Sequence, residues 1–368
     1  MNFSEIFNPQ EIKELLSYVN SVTPQQVETS LSKNFFSFTD FLHFISPSAE
    51  SYLENLAQIA HKITLQKFGK VVQMYIPLYL SNECNNICTY CGFRNDIKMN
   101  RFTLPEEEVF KEAQQIKEMG FNHILLVSGT APKQVNMEYL KSIISKLKKD
   151  FPSITLEIYT LSQKQYEILY KAGAEGVTVY QETYNPEIYS AVHLSGSKKN
   201  FKWRLDTPDR IGKANLRKIN LGALLGLGDW RYEAIALAQH SQYLLKQYWQ
   251  AALSLSFPRI TNHPQNFNFT PVSSKHLVQM ILAFRLFIPD MNLVISTREK
   301  AKFRMHLIQL GITQISAGSK TTPGGYYTSH SNKEEQFAIE DTRTPDVVAK
   351  EIQSMGYEPV WKDWESVL

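Results

Sequence analysis

The chain has 368 residues, with 39 Lys and Arg against 36 Asp and Glu, a net charge of +3. That balance is an ordinary one, too weak to suggest a nucleic-acid surface. No apolar run approaches the roughly 18 residues that span a membrane, and Glu5, Glu11 and Glu14 interrupt the N-terminus where a secretory leader would be apolar.

Residues 1–70 read as an N-terminal extension of several short helices. From there apolar, β-rich runs alternate with amphipathic helical stretches, giving eight strand candidates at 71–80, 123–128, 154–159, 176–181, 219–225, 251–257, 292–296 and 313–316. Between the first two, Thr103 and Glu106 match a capping box, Val109, Ala113 and Ile116 form an apolar stripe, and Gly120 closes the helix. Met137, Leu140, Ile144 and Leu147 repeat the helical spacing. The basic runs Lys146-Leu147-Lys148-Lys149 and Lys198-Lys199 read as solvated faces. Near-continuous apolar strands separated by helices imply a parallel sheet covered on both faces. Eight such units predict an α/β fold, a (β/α)₈ TIM-type barrel over 71–318, with its chemistry at the C-terminal ends of the strands. An open doubly wound sheet is the alternative, but no G-x-G-x-x-G follows the first strand. Beyond it, Thr322-Pro323-Gly324-Gly325-Tyr326 reads as a turn-rich loop and 346–355 as a helix. Residues 319–368 are expected to cap the barrel mouth, with Trp361 and Trp364 as packing anchors.

The three cysteines, Cys84, Cys88 and Cys91, form a C-x₃-C-x₂-C loop leaving the first strand. Three thiolates can hold three irons of a [4Fe–4S] cubane and leave the fourth open to another ligand. Structural zinc usually wants four ligands at paired spacings, whereas His61, His123 and the other histidines are scattered. An odd count in one short loop is also a poor disulfide framework, which points to a reducing, cytoplasmic compartment.

This loop, with Tyr90 before its last cysteine, resembles that of the radical S-adenosylmethionine (SAM) enzymes. The runs Tyr79-Leu80-Ser81-Asn82-Glu83-Cys84, Tyr180-Gln181-Glu182-Thr183-Tyr184, Gly222-Ala223-Leu224-Leu225-Gly226-Leu227-Gly228-Asp229-Trp230-Arg231 and Ser256-Phe257-Pro258-Arg259 are similar to those of its aromatic amino-acid lyase branch. So are Ser296-Thr297-Arg298-Glu299, Ser316-Ala317-Gly318-Ser319-Lys320-Thr321 and Glu358-Pro359-Val360-Trp361-Lys362-Asp363-Trp364. Within that branch they look most like the tyrosine lyases of thiamine biosynthesis. The resemblance implies that the open iron binds SAM, and that one electron from the cluster yields a 5′-deoxyadenosyl radical. That radical takes a hydrogen from the tyrosine amino group, and the Cα–Cβ bond breaks to give 2-iminoacetate (dehydroglycine) and p-cresol. It further implies a thiazole synthase partner and a flavodoxin or ferredoxin reducing system.

For site residues, a guanidinium matches a carboxylate as a planar fork, so Arg298, at the end of the seventh strand, is the expected substrate anchor. Its bland alternative is a surface pair with Glu299. Ser316 and Tyr79 can donate to the same substrate, or can satisfy loop backbone. The resemblance assigns Tyr90 beside the adenine and Glu182 to the ribose or amine of SAM. It places Arg204 on a carboxylate, either SAM's or that of Glu182, and Ser128 and Gly129 beside the methionine moiety. Relatives usually carry Gly-Glu where this chain has Gly129-Thr130, so a hydroxyl is expected to accept from the SAM ammonium there.

Three other readings stand beside this one. A related tryptophan lyase would share the barrel and anchor. The hydrogenase-maturation tyrosine lyase needs further C-terminal cysteines, and none follows Cys91. An iron–sulfur electron carrier needs neither an open iron nor a pocket.

Overall fold

In the computed structural model, which describes residues 1–260, 268–327 and 335–361, parallel strands close into a barrel. The strands are β1 (Val71–Ser81), β2 (Ile87–Cys88), β3 (His123–Ser128), β4 (Ser153–Glu157), β5 (Gly176–Glu182), β6 (His193–Ser195), β7 (Lys218–Ala223), β8 (Ala252–Ser256), β9 (Asn292–Ile295), β10 (Gln314–Ser316) and β11 (Glu358–Val360). Pairing runs β1, β3, β4, β5, β7, β8, β9, β10 and returns from β10 to β1, with Tyr75 opposite Ser316. The eight expected strands are these eight. β11 adds outside the ring beside β1, and β2 pairs with β6 apart from it.

Alternation along the strands sorts the core. Tyr75 and Tyr79 of β1, Leu125 and Val127 of β3 and Val294 of β9 cluster together inside the barrel. Met74, Ile76, Leu78, Leu80, Ile124 and Leu126 join the larger core formed with the surrounding helices. Both faces are covered, so the strands carry no polar face to read from sequence.

The N-terminal helices, Pro9–Ser21, Pro24–Leu31, Phe38–Phe44 and Leu53–Phe68, clasp the outside of the barrel. Phe41 packs on Phe284 and Phe287 at ring separations of 4.9 and 5.0 Å. Gln279 Nε2 donates to the carbonyls of Phe44 (2.9 Å) and Ser46 (2.7 Å). Beyond the barrel, residues 335–338 line the cavity that holds the cysteines, and the helix Pro345–Ser354 leads into β11. Trp361 packs edge-on against Phe121 at 5.1 Å, and its carbonyl accepts from Asn122 N–H, as a packing anchor would. Lys362, Asp363 and Trp364 lie outside the described residues.

One local expectation fails. The helix Glu106–Glu118 starts after Pro105 without a side-chain cap. Thr103 is drawn instead to Ser81, hydroxyl to hydroxyl at 2.8 Å, while the Glu106 carboxylate accepts from Ser142 and Lys146. Among the described residues no helix is long and apolar enough to cross a membrane.

Candidate active site

The cysteine loop is tied to the barrel rim on both sides. Asn85 N–H donates to the Thr130 carbonyl at 2.9 Å, and Asn86 Nδ2 donates to the Thr130 hydroxyl at 2.7 Å. Thr130 thus braces the loop, and its hydroxyl is already accepting a hydrogen bond where the sequence suggested an acceptor for a ligand amine. Beside it a Cβ on Gly129 would stand 2.3 Å from the Glu83 carbonyl and 3.1 Å from Cys84 Cβ. Only glycine lets the end of β3 approach the loop so closely. Ser128 turns its hydroxyl to the Gly129 carbonyl at 3.1 Å. On the far side Cys88 pairs with His193 in the β2–β6 ladder. Arg101, which the sequence analysis did not single out, clamps the loop's exit by donating to the carbonyls of Asn82, Phe93 and Arg94.

Cys84, Cys88 and Cys91 line one cavity of about 490 Å³, together with Tyr90, Ser128, Gly129, Glu157, Glu182, Lys198, Arg204 and Arg298. Every expected SAM-side residue is therefore in one place. Burial pushes the Cys88 thiol up to about 12 and raises that of Cys91. Uncharged thiols there would be inert, and it is a thiolate-binding centre that offsets such burial.

At the end of β5 the chain departs from regular strand geometry. The register slips between Tyr180 and Glu182, and Glu182 takes φ of +72°. A non-glycine residue in that region stores roughly 1–3 kcal/mol of strain. What holds it is visible: the buried Glu233 carboxylate accepts from Tyr184 N–H at 2.8 Å and from the Thr183 hydroxyl. Glu182 is thereby aimed into the cavity, where Lys198 Nζ donates to it at 2.5 Å and Arg204 Nη2 lies 3.7 Å away. Burial pulls its pKa up, but Lys198 and Arg204 more than offset this and hold it below the usual value. Arg204 was expected there. Lys198 was read as a solvated face, and the structure corrects that: it is largely buried, and it also lies 5.6 Å from the centre of the Tyr90 ring. The Tyr90 hydroxyl lies 2.7 Å from His193 Nε2, whose Nδ1 faces the Tyr189 carbonyl at 2.8 Å. A carbonyl can only accept, so Nδ1 carries the proton and Tyr90 donates to Nε2.

A second, smaller cavity of about 50 Å³ continues into the barrel, lined by Tyr75, Tyr79, Ser256, Arg298, Ser316 and Ser319 among others. Arg298 belongs to both spaces. Its guanidinium stacks on Phe337 at 3.4 Å, and among the described residues it pairs with no carboxylate. Ser316 accepts from Thr297 N–H at 3.1 Å and Tyr79 donates to Gln336 Oε1 at 2.6 Å. Both line the inner cavity while also satisfying neighbouring groups. Glu157, the last residue of β4, lines both cavities and was missed. Its signal was a single carboxylate ending an apolar strand, a residue type rarely buried without a task.

The residues fit a cluster and a sulfonium cofactor. Three thiols share a cavity with Glu157 and Glu182 and with the basic Lys198, Arg204 and Arg298, within the roughly 300–1,000 Å³ typical of small-molecule sites. Barrel, loop and cavity define a radical SAM enzyme, and residues 78–238 match the family model described as the Radical SAM superfamily. Residues 256–358 match the Biotin and Thiamin Synthesis associated domain. The chain is 43% identical over 370 aligned positions to the 2-iminoacetate synthases of Salmonella typhimurium and Escherichia coli, covering 100% of itself and 97% of each relative. The X-ray structure of the FeFe-hydrogenase maturase HydG from Carboxydothermus hydrogenoformans superimposes with a TM-score of 0.86 at 31% identity, over 96% of this chain and 85% of that one. The chain belongs to the 2-iminoacetate synthase family of radical SAM lyases.

Proposed function

We propose that the enzyme cleaves the Cα–Cβ bond of L-tyrosine to 2-iminoacetate and p-cresol, releasing methionine and 5′-deoxyadenosine, for the thiazole of thiamine. The observation that carries the reading is Arg298, a stacked guanidinium without a carboxylate partner among the described residues, set between the cysteine cavity and the inner cavity. When bound, SAM and the reduced cluster supply a carbon-centred radical that removes a hydrogen atom. The protein's own work is placement. Arg298 binds the substrate carboxylate as a fork, with Ser316 and Tyr79 beside it in the inner cavity. Glu182, Lys198 and Arg204 meet the charged and hydroxyl groups of SAM, Tyr90 presents a ring to its base, and Ser128 and Gly129 lie along its methionine. Holding reactants in this way can contribute roughly 7–11 kcal/mol toward the barrier.

A labile imine product suits direct delivery to a thiazole synthase partner, and the electron suits a flavodoxin or ferredoxin donor. Reconstituted, reduced protein given SAM and tyrosine is expected to release p-cresol with 5′-deoxyadenosine. Deoxyadenosine without p-cresol at any tyrosine concentration would contradict the assignment.

A further inference from the structure

Glu157 is the one carboxylate lining both cavities among the described residues, and nothing in the reaction as set out above uses it. It faces the same inner space as Arg298, yet the two form no ion pair, and among the described residues no hydrogen bond or salt bridge fixes its carboxylate. A guanidinium and a carboxylate that line one cavity without pairing are complementary to an α-amino acid, whose own head carries a carboxylate and an ammonium. We propose that Glu157 receives the ammonium of the substrate bound at Arg298 and takes one of its protons, breaking an N–H bond and forming a carboxylic O–H, so that a neutral amine is presented to the radical. The inference rests on the tyrosine-cleaving reading.

The chemistry requires such a group. An ammonium has no lone pair to stabilise a radical left on nitrogen by hydrogen-atom loss, and an amino-acid amine is protonated in neutral water. A useful proton acceptor has a pKa near the working pH. Burial raises that of Glu157 to about 7, against the pull of Arg298, with Glu182 raising it further and Lys198 and Arg204 lowering it. The remaining titratable groups coupled to it are Tyr75 and Tyr79 of β1 and Tyr180 of β5, all held above their ordinary values by burial and so neutral.

The test is the pH profile of p-cresol formation by cluster-loaded Glu157→Gln and Glu157→Asp. The amide can accept a hydrogen bond from the amine but cannot take its proton. Glu157→Gln is expected to lose at least 100-fold near pH 7, and to regain activity by up to tenfold per pH unit as neutral amine becomes available from solution. Wild type is expected to rise by only about twofold above pH 7 and then level, as Glu157 becomes fully ionised, and Glu157→Asp to keep that shape at a lower rate. A Gln variant with wild-type turnover, or Gln and Asp variants with the same reduced rate and profile, would overturn the role. Wild type that cleaves SAM but yields no p-cresol would instead remove the tyrosine reading beneath it.

Discussion

Arg259 holds Glu299 through two parallel hydrogen bonds, Nε at 2.8 Å and Nη2 at 2.5 Å, with both side chains buried. The pair joins the loop after β8 to the loop after β9. Its consequence is for the neighbour: with Glu299 engaged, Arg298 is left to the cavity, and the surface pair weighed from the sequence does not form. Breaking a buried pair by removing one partner typically costs about 3–5 kcal/mol, because the other charge stays buried. Arg259→Ala is therefore expected to lower stability by that amount in denaturant unfolding. A loss below about 1 kcal/mol would mean Glu299 finds another partner.

Arg298→Ala should uncouple the two halves of the reaction. Deoxyadenosine formation from SAM persists, while p-cresol falls by roughly 100-fold, or about 2.7 kcal/mol of transition-state positioning. Equal loss of both products would place Arg298 on SAM instead.

Lys198→Ala removes the nearest cation from Glu182. In the folded enzyme the Glu182 pKa lies below its ordinary 4.5. A depressed carboxylate contributes stability above the unfolded value, and that stability is lost as pH falls through the folded value. Without Lys198 the folded value rises, so acid unfolding followed by circular dichroism should begin at a higher pH than in wild type. The SAM dissociation constant, read from the change in the reduced cluster's electron-spin signal, should rise as well. An unchanged acid limb would show that Arg204 alone holds Glu182.

Gly129→Ala places a methyl group where the Glu83 carbonyl stands. The barrel is expected to fold, since the clash lies at its rim, but the cysteine loop cannot seat. Iron content and cluster absorbance after reconstitution should fall well below wild type with far-ultraviolet dichroism unchanged. Full cluster loading would show that the loop can retreat.

The barrel was legible because its strands are short apolar runs between helical stripes, and burial on both faces writes itself into composition. That Arg298, Ser316 and Tyr79 would line the cavity at the barrel mouth was legible because they stand at strand ends, where a barrel opens its site. Lys198 was not, since Lys198-Lys199 looks like any solvated pair until a turn swings one lysine onto Glu182. Gln336 and Phe337 reach Tyr79 and Arg298 from 257 and 39 positions along the chain, in a segment with no periodicity to mark it. The apparent capping box at Thr103 failed because Ser81, distant in sequence, competes for the same hydroxyl.

What defines the enzyme's function is the identity of the amino acid it cleaves. The most direct measurement offers cluster-loaded, reduced enzyme equimolar tyrosine and tryptophan with SAM and quantifies the aromatic products. p-Cresol is expected to form in step with 5′-deoxyadenosine. Release of 3-methylindole or 3-methylindole-2-carboxylate with no p-cresol would contradict it.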